Sequence, residues 1–241
     1  MHKILVINPN TSEEMTEDIN ITVQNIKDND FDVTVTKPDF GARSLESFYD
    51  YIMASFGSFR LIRNIGKHYD GILVACFGDP GLYAIKEICN YPVIGIAEAS
   101  MSMSLLMGQK FSLLVASDKA VPMMNDMVNQ YGLTSRLASI EPLGINVLDV
   151  EKNKEESIKQ LANIGKKAVD KGAEVLILGC AGMTGMKEEV EKILGVPVID
   201  PVECGYKVLE MMVKSKFPIS KIGLYMTPYE KEIIKPELLK Y

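Results

Sequence analysis

Short apolar runs alternate along the chain with longer amphipathic stretches. The runs at Lys3–Asn8, Phe31–Thr36, Gly71–Ala75, Val93–Ile96, Phe111–Ala116, Arg136–Ile140, Val175–Gly179 and Val198–Ile199 read as strands. Between them, helical spacing covers Thr11–Lys27, Glu46–Lys67, Asp79–Cys89, Ser100–Met107, Lys119–Tyr131, Lys154–Lys171, Met183–Leu194 and Val202–Lys214. Strands that are apolar on both faces and alternate with helices predict an α/β fold with parallel sheets covered by helices. Thr11-x-x-Glu14 reads as a capping box that starts the first helix.

The pattern repeats. Gly71 to Leu82 reads GILVACFGDPGL and Val175 to Met186 reads VLILGCAGMTGM, so Cys76 and Cys180 stand 180 − 76 = 104 residues apart in matching contexts. Pro92-Val93-Ile94 returns as Pro197-Val198-Ile199, and Lys3–Ile7 resembles Lys110–Val115. That period is too long for a solenoid. It predicts two similar lobes, each with a parallel sheet flanked by helices, related by a pseudo-twofold with the active site in the cleft between them. Residues 1–97 and 204–241 are expected to form the first lobe and 98–203 the second, the last helix returning to the first.

Composition narrows the class. The 241 residues are 47% hydrophobic and 24% charged, ordinary for a globular chain able to bury ~75% of its unfolded surface. A formal charge of −6 with no basic block disfavours nucleic acid and anionic membranes as partners. The chain opens Met1-His2-Lys3 and enters a strand directly, so no signal segment is read and a cytoplasmic location is expected. Neither a C-x-x-C pair, HExxH, a Walker A sequence nor G-x-G-x-x-G after a strand is present, and the two histidines are His2 and His68. Metal, nucleotide and His-triad chemistry are therefore disfavoured, and no cofactor and no metal are expected.

The repeated cysteines carry the chemical argument. Each ends a buried strand and enters a glycine-containing turn that leads to a helix, on the sheet edge where α/β proteins bind ligands. The helix N-termini are expected to lower the thiol pKa values. A pseudo-twofold would set Cys76 and Cys180 face to face. Inverting a carbon stereocentre by proton transfer needs a base on one face and an acid on the other, which two such thiols supply. The planar enolate between them needs N–H donors, for which the Cys76–Asp79 and Cys180–Met183 turns are candidates. Both sulfurs must reach one carbon, so a separation of roughly 6–7 Å and no disulfide are expected. A single strand-end cysteine would read as core. Cys89, beside Ile85 and Ile88, is read so, and Cys204 as structural.

Together Ile7-Asn8-Pro9-Asn10-Thr11, Gly41-x-x-Ser44-Leu45-Glu46, Ala75-Cys76-Phe77-Gly78-Asp79-Pro80-Gly81-Leu82 and Gly179-Cys180-Ala181-Gly182-Met183 resemble the aspartate/glutamate/hydantoin racemase superfamily, in its hydantoin and allantoin branch. The resemblance runs through nearly the whole chain. It implies a cofactor-independent isomerase of two lobes, a homo-oligomer, with Cys76 and Cys180 as the acid/base pair. Amino-acid racemases of that superfamily follow the first cysteine with Asn-Thr and the second with Thr-His. Here Phe77-Gly78 and Ala181-Gly182 follow, which offer backbone donors and no charged clamp. A neutral 5-substituted hydantoin, allantoin included, fits that better than a free amino acid. Ala42-Arg43 departs from the Pro that many members carry after Gly41, and Arg43 reads as a surface charge or a substituent contact.

Substrate contacts are expected from Asn8, Ser44, Phe77, Gly78, Asp79, Ala181, Gly182 and Met183. Each has a plainer alternative. Asn8 and Asn10 suit a turn and a cap around Pro9. Ser44 and Glu46 suit the cap of the second helix, in a segment that the resemblance makes cleft-lining, and Asp79 a helix start. Met101, Met103 and Met107 suit either a flexible apolar lining or core packing. The segment from Ile222 through Pro236, with Tyr225, reads as an irregular lid or interface. The rivals to a hydantoin racemase are an amino-acid racemase, a decarboxylase of the same fold, and a two-lobed binding protein without catalysis.

Overall fold

The computed structural model describes residues 1–65, 68–145, 147–232 and 234, apart from the side chains of 148, 151 and 152. The reading of a helix to Lys67 and of Pro236 in a lid falls outside these. In chain order the elements are β1 (His2–Ile7), α1 (Glu13–Ile26), β2 (Phe31–Thr36), α2 (Phe48–Asn64), β3 (Gly71–Val74), α3 (Leu82–Ile88), β4 (Val93–Gly95) and α4 (Ile96–Met107). They continue with β5 (Phe111–Val115), α5 (Ala120–Gln130), β6 (Leu137–Pro142), α6 (Val147–Lys152), α7 (Lys154–Asp170), β7 (Val175–Leu178), α8 (Lys187–Leu194), β8 (Val198–Ile199) and α9 (Pro201–Lys214).

The strands form two four-stranded parallel sheets of the same order, β2-β1-β3-β4 and β6-β5-β7-β8. This is the α/β architecture that the strand–helix alternation predicts. Side chains leave a strand on alternate faces. In the first sheet Ile4, Val6 and Leu73 point to one side, and in the second Leu113, Val115 and Ile177 do so. All six belong to a single apolar core. The opposite faces build separate outer layers, Leu5, Ile7 and Ile72 in the first and Leu114, Leu176 and Leu178 in the second. Helix α4 joins β4 of the first sheet to β5 of the second, and α9 packs on α4, α1 and the strands β3 and β4.

Several boundaries differ from the sequence reading, each for a local reason. The first helix is capped by Ser12, whose Oγ accepts from the Met15 amide, so Thr11-x-x-Glu14 is not a capping box. The third and eighth helices start later than expected. Left-handed glycines, Gly81 (φ 75°) and Gly185 (φ 75°), hold the chain in turns first. Helix α4 begins four residues early, at Ile96, because its amides are capped from a distance by Asp79, as described below. Helix α6 has no counterpart in the sequence reading: its six residues of mixed polarity carry too little apolar period to register. Among the described residues no helix is long and apolar enough to cross a membrane.

Candidate active site

The two cysteine turns are built alike. The amide of Ala75 donates to the Ile7 carbonyl at 2.8 Å, and that of Gly179 to the Leu114 carbonyl at 2.7 Å, which carries each chain past its strand end. The amides of Asp79 and Met183 close the turns on the carbonyls of Cys76 (3.0 Å) and Cys180 (3.1 Å). The Gly182 amide donates to Sγ of Cys180 at 3.4 Å, and the Gly78 amide makes the corresponding bond to Cys76. Both cysteines are free thiols and both line one cavity of about 40 Å³. The repeat in sequence is thus a repeat in space, converging on one chamber.

Helix dipoles do not activate these thiols. Their field fades within the first turn of a helix. Helix α3 begins six residues beyond Cys76 and α8 seven beyond Cys180, with the turns between. The local amides of Gly78 and Gly182 take that part. Burial, with the charges of Cys180 and Asp79, pushes the Cys76 thiol well above its ordinary value. Burial thus favours the protonated thiol at Cys76. The amides at 79 and 183, candidate donors to an enolate, serve the turns themselves.

The cysteine chamber also holds Phe77, Leu45 and Glu46, closed from the second half by Met123, Met124 and Ala120 of the α5 region. The segment before α2 hangs Glu46 over the site. Ser44 Oγ donates to Glu46 Oε1 at 2.9 Å, and the Glu46 amide to Asp50 Oδ2 at 3.0 Å. The helix cap is Ser47, which accepts from the Asp50 amide, so neither Ser44 nor Glu46 has that role. Tyr51, one turn into α2, faces both cysteines, and burial, with their charges, raises its phenol. Its ring lies against Gly78, where any β-carbon would overlap the phenol.

The remaining predicted residues lie elsewhere. The Asn8 amide donates to Asn10 Oδ1 (2.8 Å) and Thr16 Oγ1 (2.9 Å), and its Oδ1 accepts from the Asn10 amide (3.3 Å). It is fully buried and braces the entry to α1. Ala181, Gly182 and Met183 are buried in a 3-10 turn, Met183 in the outer core of the second sheet. Asp79 (φ 43°) sits in left-handed backbone, uncommon for a side-chain-bearing residue. Its carboxylate accepts from the amides of Ala97 (3.1 Å) and Glu98 (2.8 Å) and from the Tyr131 hydroxyl (2.7 Å). It caps α4 across the chain and lines a second cavity beside the cysteine chamber.

Arg43 pairs at the surface with Glu14 at 3.3 Å. Cys89 is core. Cys204, with Met103 and Met107, lines a different cavity, and Met101 is core. Tyr225 packs edge-on against Tyr83 and itself lines neither cavity. Leu45 and Glu46 line the cavity, where the resemblance puts their segment, whereas Tyr51, Met123, Met124 and Tyr131 carry no signal in the sequence. Among the described residues no cluster of three His, Cys, Asp or Glu groups is arranged to hold a metal ion.

Comparison with known proteins bears on this arrangement. A hydantoin racemase of Pseudomonas sp. (strain NS671) is 37% identical over 234 residues, 96% of this chain and 94% of that protein. A hydantoin racemase of Paenarthrobacter aurescens is 35% identical, covering 96% of this chain and 100% of the relative. The allantoin racemase from Klebsiella pneumoniae superposes with a TM-score of 0.91 at 30% identity, over 100% of this chain and 99% of that one. A glutamate racemase from Francisella tularensis shares the fold alone, with a TM-score of 0.64 at 19% identity. The family model for Asp/Glu/Hydantoin racemase matches residues 4–209. A cysteine pair brought by an internal repeat to one chamber between two like sheets, and relatives matched along nearly their whole length, lead to one assignment: the chain belongs to the Asp/Glu/Hydantoin racemase family of isomerases.

Proposed function

We propose that the protein racemises 5-substituted hydantoins, allantoin among them, by proton transfer between Cys76 and Cys180 without a cofactor. One sulfur, as thiolate, takes the proton from C5. The C5–H bond breaks, an S–H bond forms, and the electron pair passes to the adjacent carbonyl oxygen. The opposite thiol then gives its proton to the other face of C5, and the enolate collapses to the enantiomer. The roles reverse for the reverse reaction, and exchange of the thiol protons with water resets the pair.

The observation that carries this reading is the charge of the lining. Among the described residues around the cysteines and the adjoining cavity stand Glu46, Asp79 and Asp126, and no Lys, Arg or His. A free aspartate or glutamate would bring a carboxylate into a site without a cation, at a high desolvation cost. A neutral imide ring meets no such penalty, and the one carbonyl beside C5, with the acylated ring nitrogen on its other side, makes C5–H acidic enough for a thiolate.

The test is circular dichroism of enantiopure 5-benzylhydantoin with purified protein, against a protein-free control, in deuterated water. Decay of the signal to zero, with one deuterium at C5, is the expected result. Decay no faster than the control for this compound and for allantoin would overturn the reading, and racemisation of aspartate or glutamate in its place would assign the amino-acid reaction.

A further inference from the structure

The chamber at Cys76 and Cys180 holds about 40 Å³, whereas cavities that enclose small organic ligands run to ~300–1,000 Å³. It has room for a few waters and none for a substituted ring. Directly beside it lies a cavity of about 450 Å³. Tyr51, Met123 and Met124 line both, so these three side chains are the wall between them. Such a wall can yield: methionine is unbranched and repacks readily, and the Tyr51 ring rests on a bare glycine at 78.

We propose that the larger cavity receives the substituent at C5 and selects an uncharged, apolar one. This rests on the hydantoin reading above. With the reacting carbon between the two sulfurs, the substituent must leave the small chamber, and the Tyr51 wall is where open volume adjoins it. Leu82, Tyr83 and Met127 form the apolar body of that volume, and the exposed Phe48 and Ile52 its apolar rim. Its carboxyl groups are Asp79, already engaged with two amides and a hydroxyl, and Asp126 at the exposed rim. An aromatic ring or thioether gains buried area there. An anionic substituent meets only carboxylates, and a ureido group loses water for few free partners.

The test compares kcat/KM for 5-benzylhydantoin, allantoin and 5-carboxymethylhydantoin. The wild-type protein is expected to prefer benzyl over ureido at least tenfold, with the carboxymethyl compound slower than either. Ala84, exposed on α3, and Gln130, exposed on α5, line the far side of the cavity. Ala84→Trp or Gln130→Trp fills it from outside, and each is expected to lower the benzyl-to-ureido ratio more than threefold, with the melting temperature confirming a folded chain. A wild-type ratio below tenfold, or a ratio that neither variant lowers threefold, overturns the inference while leaving the racemase reading intact. Racemisation of none of the three overturns both.

Discussion

The hydroxyl of Tyr131 donates to Oδ2 of Asp79 at 2.7 Å, tying the end of α5 in the second half to the turn after the first-half cysteine. The same carboxylate caps α4, the helix that joins the two sheets. Gly95, just before that helix, leaves room for it, since a β-carbon there would collide with the carboxylate. One buried acid thus couples the site, the connecting helix and both halves.

Its titration makes stability depend on pH. Burial raises Asp79 from an ordinary 3.8 to about 7, against the opposing pull of its hydrogen bonds. The folded protein therefore holds a proton that the unfolded chain has released, and the stability this contributes is complete below about pH 4 and lost as pH rises through 7. Asp200, also raised by burial, acts in the same sense. Urea unfolding is expected to give a lower free energy at pH 8 than at pH 5. Asp79→Asn, which cannot ionise, should flatten much of that slope, and an unchanged slope would remove Asp79 as its source.

Cys76→Ser and Cys180→Ser are each expected to lower racemisation by ~10²–10⁴-fold, the usual worth of a positioned acid or base. Far-ultraviolet circular dichroism and the unfolding midpoint should stay close to wild type. Full activity in either variant would sink the two-thiol mechanism. Because burial raises Cys76, its alkylation by iodoacetamide at pH 7.5, followed by mass spectrometry, should be slower than that of a free small thiol and should accelerate as pH rises.

Two glycines in the paired turns should respond differently to alanine. At Gly78 the added carbon meets the tip of the Tyr51 ring, which can swing aside. Stability should fall by less than ~1 kcal/mol while kcat/KM changes severalfold, because the wall of the chamber has moved. At Gly179 the carbon would lie 2.8 Å from the Leu114 carbonyl oxygen, which is backbone of β5 and cannot move alone. Gly179→Ala should cost ~1–3 kcal/mol in denaturant unfolding.

Asp200 caps α9 from its own N-cap position, accepting from the amides of Val202 (2.9 Å) and Glu203 (3.2 Å). Its other oxygen takes Thr184 Oγ1 and the Gly185 amide, both at 2.8 Å. Asp200→Ala is expected to cost about 2–4 kcal/mol at pH 6, a helix cap plus buried donors left unpaired. Loss of under 1 kcal/mol would mean that water replaces the carboxylate.

Much of this molecule was legible in one dimension, because the forces that set it are local. Strand and helix periods depend on neighbours a few positions away, so the eight strands and about half of the helices lie within a residue or two of their expected places. The 104-residue repeat carried more, since two copies of one turn chemistry imply two copies of one geometry. From it came the like sheets and the expectation of converging cysteines. What local pattern could not carry was which side chains fill the space between the halves. Asp79 has an unremarkable acid's place before a helix, yet it caps a different helix, 17 residues on at Ile96. Asn8, beside a strand end that faces the cleft, turned inward to brace α1. Tyr51, Met123 and Tyr131 sit on helices where an aromatic or methionine reads only as core. Their meeting at the cysteines is decided by how α2 and α5 pack across the two sheets, a sum of many long-range contacts that leaves no mark on any short stretch of sequence.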